Sequence, residues 1–350
     1  MPEPASDKPV APARTVGAWA AAARLVTRWL DRHERVDELF ATLPPGLTGA
    51  ERARCQHLVF GVVRHFGRIE GGLGRLVAHP PRFETRAVLF IAGFELIDAL
   101  GEPAAEGRAA KIVHHAVEQA KHLASPAEAK LVNAVVRKLA GALAAEPPPK
   151  PAEAAALAEY FSHPEWLVRR WLMQFGAEST RRLLEWNQQP ATVYARWRDA
   201  AAAAPGWLEP TAWAGYFEVP SGRWGDVEPL LTAGRLYLQD PGTRFAVELL
   251  APSAGETVLD ACAAPGGKSL LIADTMKAGA PAGTTTGAGR VVALDLPGPR
   301  IDRLKQNLSR VEGVDVALVQ GDLLGGEYKL FDDHGLPTEY AAVLLDVPCS

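Results

Sequence analysis

Apolar residues recur every three or four positions through the first part of the chain. Trp19, Ala22, Ala23, Val26, Trp29 and Leu30 fall on one helical face, as do Val36, Leu39 and Phe40. Pro44-Pro45-Gly46 interrupts the pattern, and Thr48 or Gly49, with Glu51 in the first turn, opens another helix. That helix carries Leu58, Val59, Phe60, Val62 and Val63, surrounded by Arg52, Arg54, His57, Arg64, His65 and Arg68. The periodicity predicts further helices over 86–100, 109–122 and 127–144. No period-two alternation occurs between about 16 and 146, so an all-α bundle is expected there. Its arginines are either phosphate contacts or plain solvated faces, and His114-His115 reads as surface or capping.

Glu146-Pro-Pro-Pro-Lys-Pro151 excludes helix and favours an extended spacer, so a boundary is placed at 147–151. Residues 152–235 form a smaller connecting module. Tyr160-Phe-Ser-His-Pro-Glu-Trp starts a helix with apolar Trp166, Leu167, Trp171 and Phe175 at helical spacing. Arg169, Arg170, Arg181, Arg182, Arg196 and Arg198 interleave with Trp171, Trp186, Tyr194 and Trp197. Arginines can bind phosphates and aromatic faces can stack on unpaired bases. The alternative, favoured for the tryptophans, is a core with a solvated rim.

After residue 236 the pattern changes. A helix through Phe245, Val247, Leu249 and Leu250 ends at Pro252. Short apolar strands follow near 257–260, 290–295, 314–320 and 341–346, separated by helical segments. This alternation implies a parallel sheet covered by helices, an α/β fold of Rossmann type. Between the first strand and its helix lies Asp260-Ala-Cys-Ala-Ala-Pro-Gly-Gly-Lys268. A strand, a glycine turn and a helix N-terminus in that order can hold a nucleotide-like ligand. The loop is neither a Walker A motif, which would need Gly at position 262, nor G-x-G-x-x-G. An ordinary strand-to-helix turn is the plain alternative. Residues 278–289 are an Ala/Gly/Thr/Pro insert, read as a surface loop. It explains why the acid expected at the end of the second strand, Asp295, comes later than usual. There it would accept hydrogen bonds from ribose hydroxyls.

Composition narrows the reading little. The chain has 350 residues, formal net charge −4, and three cysteines. Residues 1–15 have no apolar core of signal-peptide type and read as a disordered tail. No apolar run would span a membrane. Cys55, Cys262 and Cys349 show no metal-ligand spacing, so no metal is expected, and scattered cysteines suit a reducing, cytoplasmic compartment. The charge does not announce a nucleic-acid binder, so any RNA surface must come from local clusters.

The loop does not stand alone. Leu259-Asp-Ala-Cys-Ala-Ala-Pro-Gly-Gly-Lys268, Val292-Ala-Leu-Asp295, Gln320-Gly-Asp322 and Leu345-Asp-Val-Pro-Cys-Ser350 occur in an order that resembles the RsmB/NOP2/Sun family of RNA cytosine-C5 methyltransferases. Leu58-Val-Phe-Gly-Val-Val-Arg-His and Leu131-Val-Asn-Ala-Val-Val-Arg-Lys resemble the NusB-type RNA-binding domain that precedes the catalytic part in bacterial members. The resemblance covers nearly everything after residue 15. It implies S-adenosylmethionine as cofactor, held by Cys262, Ala263, Ala264, Pro265, Gly266, Gly267, Lys268, Asp295, Arg300, Asp322 and Asp346. Within that set Asp322 would meet the adenine amine, and Arg300 matches a family position only weakly. Asp346 and Cys349 are the implied catalytic residues, and RNA, foremost ribosomal RNA, the implied substrate of a monomeric enzyme. In the family a second cysteine, further along, attacks carbon 6 of cytosine, and the Pro-Cys cysteine assists release. No such second motif precedes Ser350, so the methyltransferase domain is expected to be C-terminally incomplete. Cys349 is then either that helper or the attacking thiol. Two other functions remain open: a non-catalytic RNA-binding or assembly factor, and a methyltransferase acting on DNA or protein.

Overall fold

The computed structural model describes residues 17–100, 105–281, 287–325 and 329–347. The chain divides into two compact units, 1–190 and 191–350.

The first unit is helical: α1 (Ala18–Arg32), α2 (Val36–Ala41), α3 (Gly49–Arg64), α4 (Phe66–Gly74), α5 (Phe83–Asp98), α6 (Ala105–Leu123), α7 (Pro126–Ala145), α8 (Ala154–Tyr160) and α9 (Glu165–Asn187). α3 and α7 begin within a residue of the expected starts, whereas α5 and α6 begin at Phe83 and Ala105 rather than at 86 and 109. Thr48 caps α3 through a reciprocal box with Glu51. Ser125 caps α7, and Pro126 occupies the first turn, where its missing N–H costs nothing. The organising helix is α5, apolar on nearly every face, which is the pattern of a core helix. It packs on α1, α3, α6 and α7. At Gly61, a β-carbon would lie 2.2 Å from the Phe94 ring, so glycine sets the close approach of α3 to α5.

Two expectations fail here. The basic helix does not run through Arg68: α3 ends at Arg64 and α4 begins at Phe66. Arg68 is only 7% exposed. Its Nε donates to Glu146 Oε2 at 2.8 Å, and its guanidinium lies 4.1 Å from the Tyr160 ring centroid. Its charge is taken up by Glu146 and the Tyr160 ring rather than offered to a phosphate. The residue before the proline run is thereby tied to the bundle, and α8 packs on α4. Residues 152–187 therefore continue the helical unit, and the proline segment 147–151 lies inside it rather than between compact units. The second failure is partial: Trp171 and Trp197 are partly buried against apolar clusters, as expected, but other tryptophans are not. Trp166 and Trp186 are 65% and 69% exposed, not core. Gly176, at φ 75°, kinks α9 between them, so one apolar stripe cannot be buried along its length.

The second unit opens with a small antiparallel sheet: β1 (Tyr194–Trp197), β2 (Glu209–Pro210), β3 (Tyr216–Glu218) and β4 (Leu236–Leu238), in the order β2-β3-β1-β4. α10 (Trp224–Thr232) packs beside β4. The connecting module expected over 152–235 is thus shared between the two units. A 3₁₀ turn and α11 (Arg244–Leu250) lead into β5 (Thr257–Asp260), α12 (Gly267–Gly279), β6 (Arg290–Asp295), α13 (Ile301–Leu308), β7 (Asp315–Gln320), α14 (Lys329–Asp332) and β8 (Ala342–Leu344). These four strands match the sequence expectation closely. They form an all-parallel sheet in the order β7-β6-β5-β8. The order reverses between β5 and β8, and ligands of doubly wound sheets bind at that crevice. Cys349 and Pro348 lie outside the described residues, as do 282–286 of the expected insert and the tail 1–15.

Candidate active site

β5 places Asp260 at the carboxyl edge of the sheet, 1% exposed. Burial raises the pKa of its carboxyl, against a hydrogen bond from Ser269 Oγ, 2.6 Å from Oδ2. The chain then turns back on itself, and Gly266 N–H donates to Ala263 O at 2.6 Å. Gly266 has φ 106°, a left-handed backbone that suits glycine. A β-carbon there would meet Leu304 and Asn307 at 3.1 and 3.3 Å. One on Gly267 would lie 2.9 Å from the Tyr237 ring. The turn favours glycine at Gly266, and close neighbours favour it at both positions.

The loop is gripped from outside. Asn307 Nδ2 donates to Pro265 O at 2.7 Å, and Gln239 Nε2 donates to Gly267 O at 3.3 Å. Arg196 Nε donates to Gln239 Oε1 at 2.9 Å, and Arg196 Nη1 to Asp274 Oδ2 at 2.6 Å. Arg198 makes a two-pronged pair with the same Asp274, at 2.9 Å for each bond. Burial alone would raise the pKa of Asp274, but the Arg198 hydrogen bond and the two guanidinium charges outweigh it and hold the carboxyl below its ordinary range. Arg196 and Arg198, expected as possible phosphate contacts on a surface, brace β1 and the residue after it against α12 from the interior. Their sequence spacing cannot reveal this, because the partner carboxylate is some 76 residues away.

A cavity of about 220 Å³ opens over the loop. Among the expected residues, Cys262, Ala263, Ala264, Pro265, Gly267, Lys268 and Asp346 line it. Lys268 Nζ and Asp346 form an ion pair across the β5–β8 crevice. Asp295 is half-buried at the end of β6, and its Oδ2 accepts from Ala264 N–H at 2.7 Å. Its other oxygen accepts from Leu296 N–H at 2.8 Å, so the acid first serves to pin the loop. Gly266 faces α13 rather than the cavity. Arg300 precedes α13, and Asp322 follows β7, where Oδ1 accepts from Leu324 N–H at 2.9 Å. Both are exposed, and neither lines the cavity. The opposite wall, Tyr237, Leu238, Gln239, Asp240 and Thr243, comes from β4 and the 3₁₀ turn after it. Sequence reading passed over these residues; the short alternation Leu236-Tyr-Leu-Gln was the available signal. Burial, then the charges of Asp295, Asp260 and Asp346, push the Cys262 thiol up, so it stays protonated and is a poor nucleophile. Among the described residues no cluster of His, Cys, Asp or Glu could hold a metal ion.

A glycine loop at the switch point of a parallel sheet, with carboxylates about it, defines a Rossmann-like domain. The relationship is more particular. Residues 247–350 match the family of 16S rRNA methyltransferases RsmB/F, and residues 18–141 match the NusB family. The ribosomal RNA small subunit methyltransferase B of Yersinia enterocolitica is 25% identical over 343 residues, spanning 94% of this chain and 74% of that protein. The protein of the same name from Citrobacter koseri is 27% identical over 349 residues, with the same coverage. The crystal structure of PH0851 shares the fold with TM-score 0.63 at 19% identity, covering 96% of this chain and 75% of that one. No helix among the described residues is long and apolar enough to cross a membrane.

Proposed function

We propose that this protein transfers a methyl group from S-adenosylmethionine to carbon 5 of a cytosine in RNA, foremost ribosomal RNA, in the cytoplasm. The observation that carries the reading is the Lys268–Asp346 pair, which joins the glycine loop to the end of β8 across the crevice. The residues suit that cofactor. A β-carbon at Gly266 or Gly267 would press on Leu304, Asn307 or Tyr237, the cavity lining carries Asp240 and Asp346, and Asp295 holds the Ala264 N–H of the loop; such carboxylates favour a cationic ligand over a phosphate-rich one. The bound cofactor supplies an electrophilic methyl on its sulfonium. Asp295 and the loop position the ribose side, and Asp322 and Arg300 are assigned the outer edge. Lys268 holds Asp346 in place beside the reacting groups. Asp346 can hold the N3/N4 edge of the base and favour protonation at N3 as charge builds.

Carbon 5 of cytosine becomes nucleophilic when a thiolate adds at carbon 6. Cys349 is the thiol that the reading places at this step, as attacking or releasing group. On the helical unit, α7 exposes Lys130, Arg137 and Lys138, a local basic face that supports RNA contact despite the chain's net negative charge.

Tritiated methyl transfer to ribosomal RNA, with DNA and protein as controls, tests the reading. Label in RNA cytosine C5 is expected. Label in DNA or protein alone, or binding without transfer, would replace it. With Cys349→Ala, loss of every covalent RNA adduct identifies the attacking thiol, and a trapped adduct identifies the releasing one.

A further inference from the structure

A second cleft lies apart from the glycine loop, between the small sheet and the outer faces of α11 and α12. Its volume is about 590 Å³, in the range of small-ligand sites. Trp197 and Trp213 form part of its wall. Both indoles are held in place: Trp197 Nε1 donates to Ala202 O at 2.8 Å, and Trp213 packs edge-on against Tyr194.

Arg196 and Tyr216 also line the cleft, and they are direct cross-strand partners on β1 and β3. They are 5% and 4% exposed. Nη2 of Arg196 and Oη of Tyr216 have no hydrogen-bond partner. Buried polar groups in folded proteins are nearly always satisfied, so two orphans side by side point to an acceptor from outside the chain. The local charge gives its sign. Asp274 is shared by the guanidiniums of Arg196 and Arg198, which leaves an excess of positive charge at the inner wall.

We propose that this cleft binds a nucleoside monophosphate unit. The phosphate accepts hydrogen bonds from Arg196 Nη2 and Tyr216 Oη, and the base lies against the indoles of Trp197 and Trp213. An anion site combined with two fixed aromatic walls is what a nucleotide with an unpaired base requires. The unit can be a free nucleotide or one nucleotide of single-stranded RNA. The inference does not rest on the methyl-transfer reading, since the cleft is separate from the cofactor pocket.

The probes are cytidine 5′-monophosphate, cytidine, and an eight-nucleotide single-stranded RNA, titrated calorimetrically against the whole chain. Two variants avoid the loop braces. Tyr216→Phe removes a hydroxyl with no protein partner, so melting temperature is expected to hold or rise. Ala214→Trp fills the exposed mouth of the cleft. Each is expected to weaken the monophosphate at least about tenfold while leaving S-adenosylmethionine affinity unchanged. Cytidine, lacking the phosphate, should bind wild type at least about tenfold more weakly than the monophosphate. An equal loss for the RNA oligonucleotide assigns the site to RNA, and a loss for the monophosphate alone assigns it to free nucleotide. No millimolar binding of the monophosphate to wild type, or equal binding to wild type and both variants, overturns the proposal.

Discussion

The helical unit and the sheet unit bury polar side chains for different purposes. In the helical unit they are dispersed staples. Trp19 Nε1 and Arg54 both donate to Glu95, Thr85 donates to Glu128, and Arg68 meets Glu146. Each joins helices distant in sequence, and none converges on a cavity. In the sheet unit Arg196, Gln239, Asp260, Ser269 and Asn307 all stand behind one loop, 260–268. Buried polarity costs free energy wherever it occurs. Its dispersal in one unit serves assembly of the bundle, and its concentration in the other fixes the shape of a single turn.

The sharpest way to break this comparison is to remove one arginine from each unit. Arg68→Ala should lower the urea-derived stability of its unit by about 3–5 kcal/mol, because Glu146 loses its buried partner, and Arg196→Ala should cost its unit about 1–3 kcal/mol, because Gln239 Oε1 loses its donor while Arg198 still pairs with Asp274. Only Arg196→Ala should also weaken S-adenosylmethionine binding by the protein that remains folded.

Next in size is a pH effect confined to the helical unit. Burial, with the charges of Arg68 and Arg64, pushes the His65 imidazole down from 6.5 to about 4. The unfolded chain takes up a proton first, so this stabilising contribution is complete above 6.5 and is lost as pH falls towards 4. About 3 kcal/mol should disappear over that window. Denaturation of His65→Gln should show a correspondingly flatter acid limb.

Asn307→Leu frees the Pro265 carbonyl. It should raise the dissociation constant for S-adenosylmethionine by about tenfold while changing stability by about 1–2 kcal/mol. An unchanged cofactor affinity would mean that the loop does not need this brace. Asp260 tests the same shell with opposite sign. Its raised pKa means that burial of the charged form grows costlier as pH rises through that value. Asp260→Asn should therefore be neutral or stabilising by about 1 kcal/mol at pH 7, with the advantage fading in acid. The smallest effect expected is for Arg169→Ala, an exposed partner of Glu165 one helical turn away: about 0.5 kcal/mol or less in thermal melts, and no effect on either binding site.

Much of this architecture could be read before any coordinates. The main helices of the first unit follow their 3.6-residue period, and α3 its cap at Thr48. The strands β5 to β8 and the turn at Gly266-Gly267 follow from short apolar runs broken by residues of special backbone freedom. These signals are local, since each depends on neighbours within one or two turns of chain, and such information survives in a bare string of residues. The division of 152–235 between two units, the burial of Arg68, Arg196 and Arg198, and the recruitment of Gln239 and Asn307 to the loop were not legible. An arginine in text looks the same whether it meets solvent or a carboxylate brought from 78 residues away. Desolvation is a property of the packed whole, so only the tertiary fold could decide which charges became braces and which stayed at the surface.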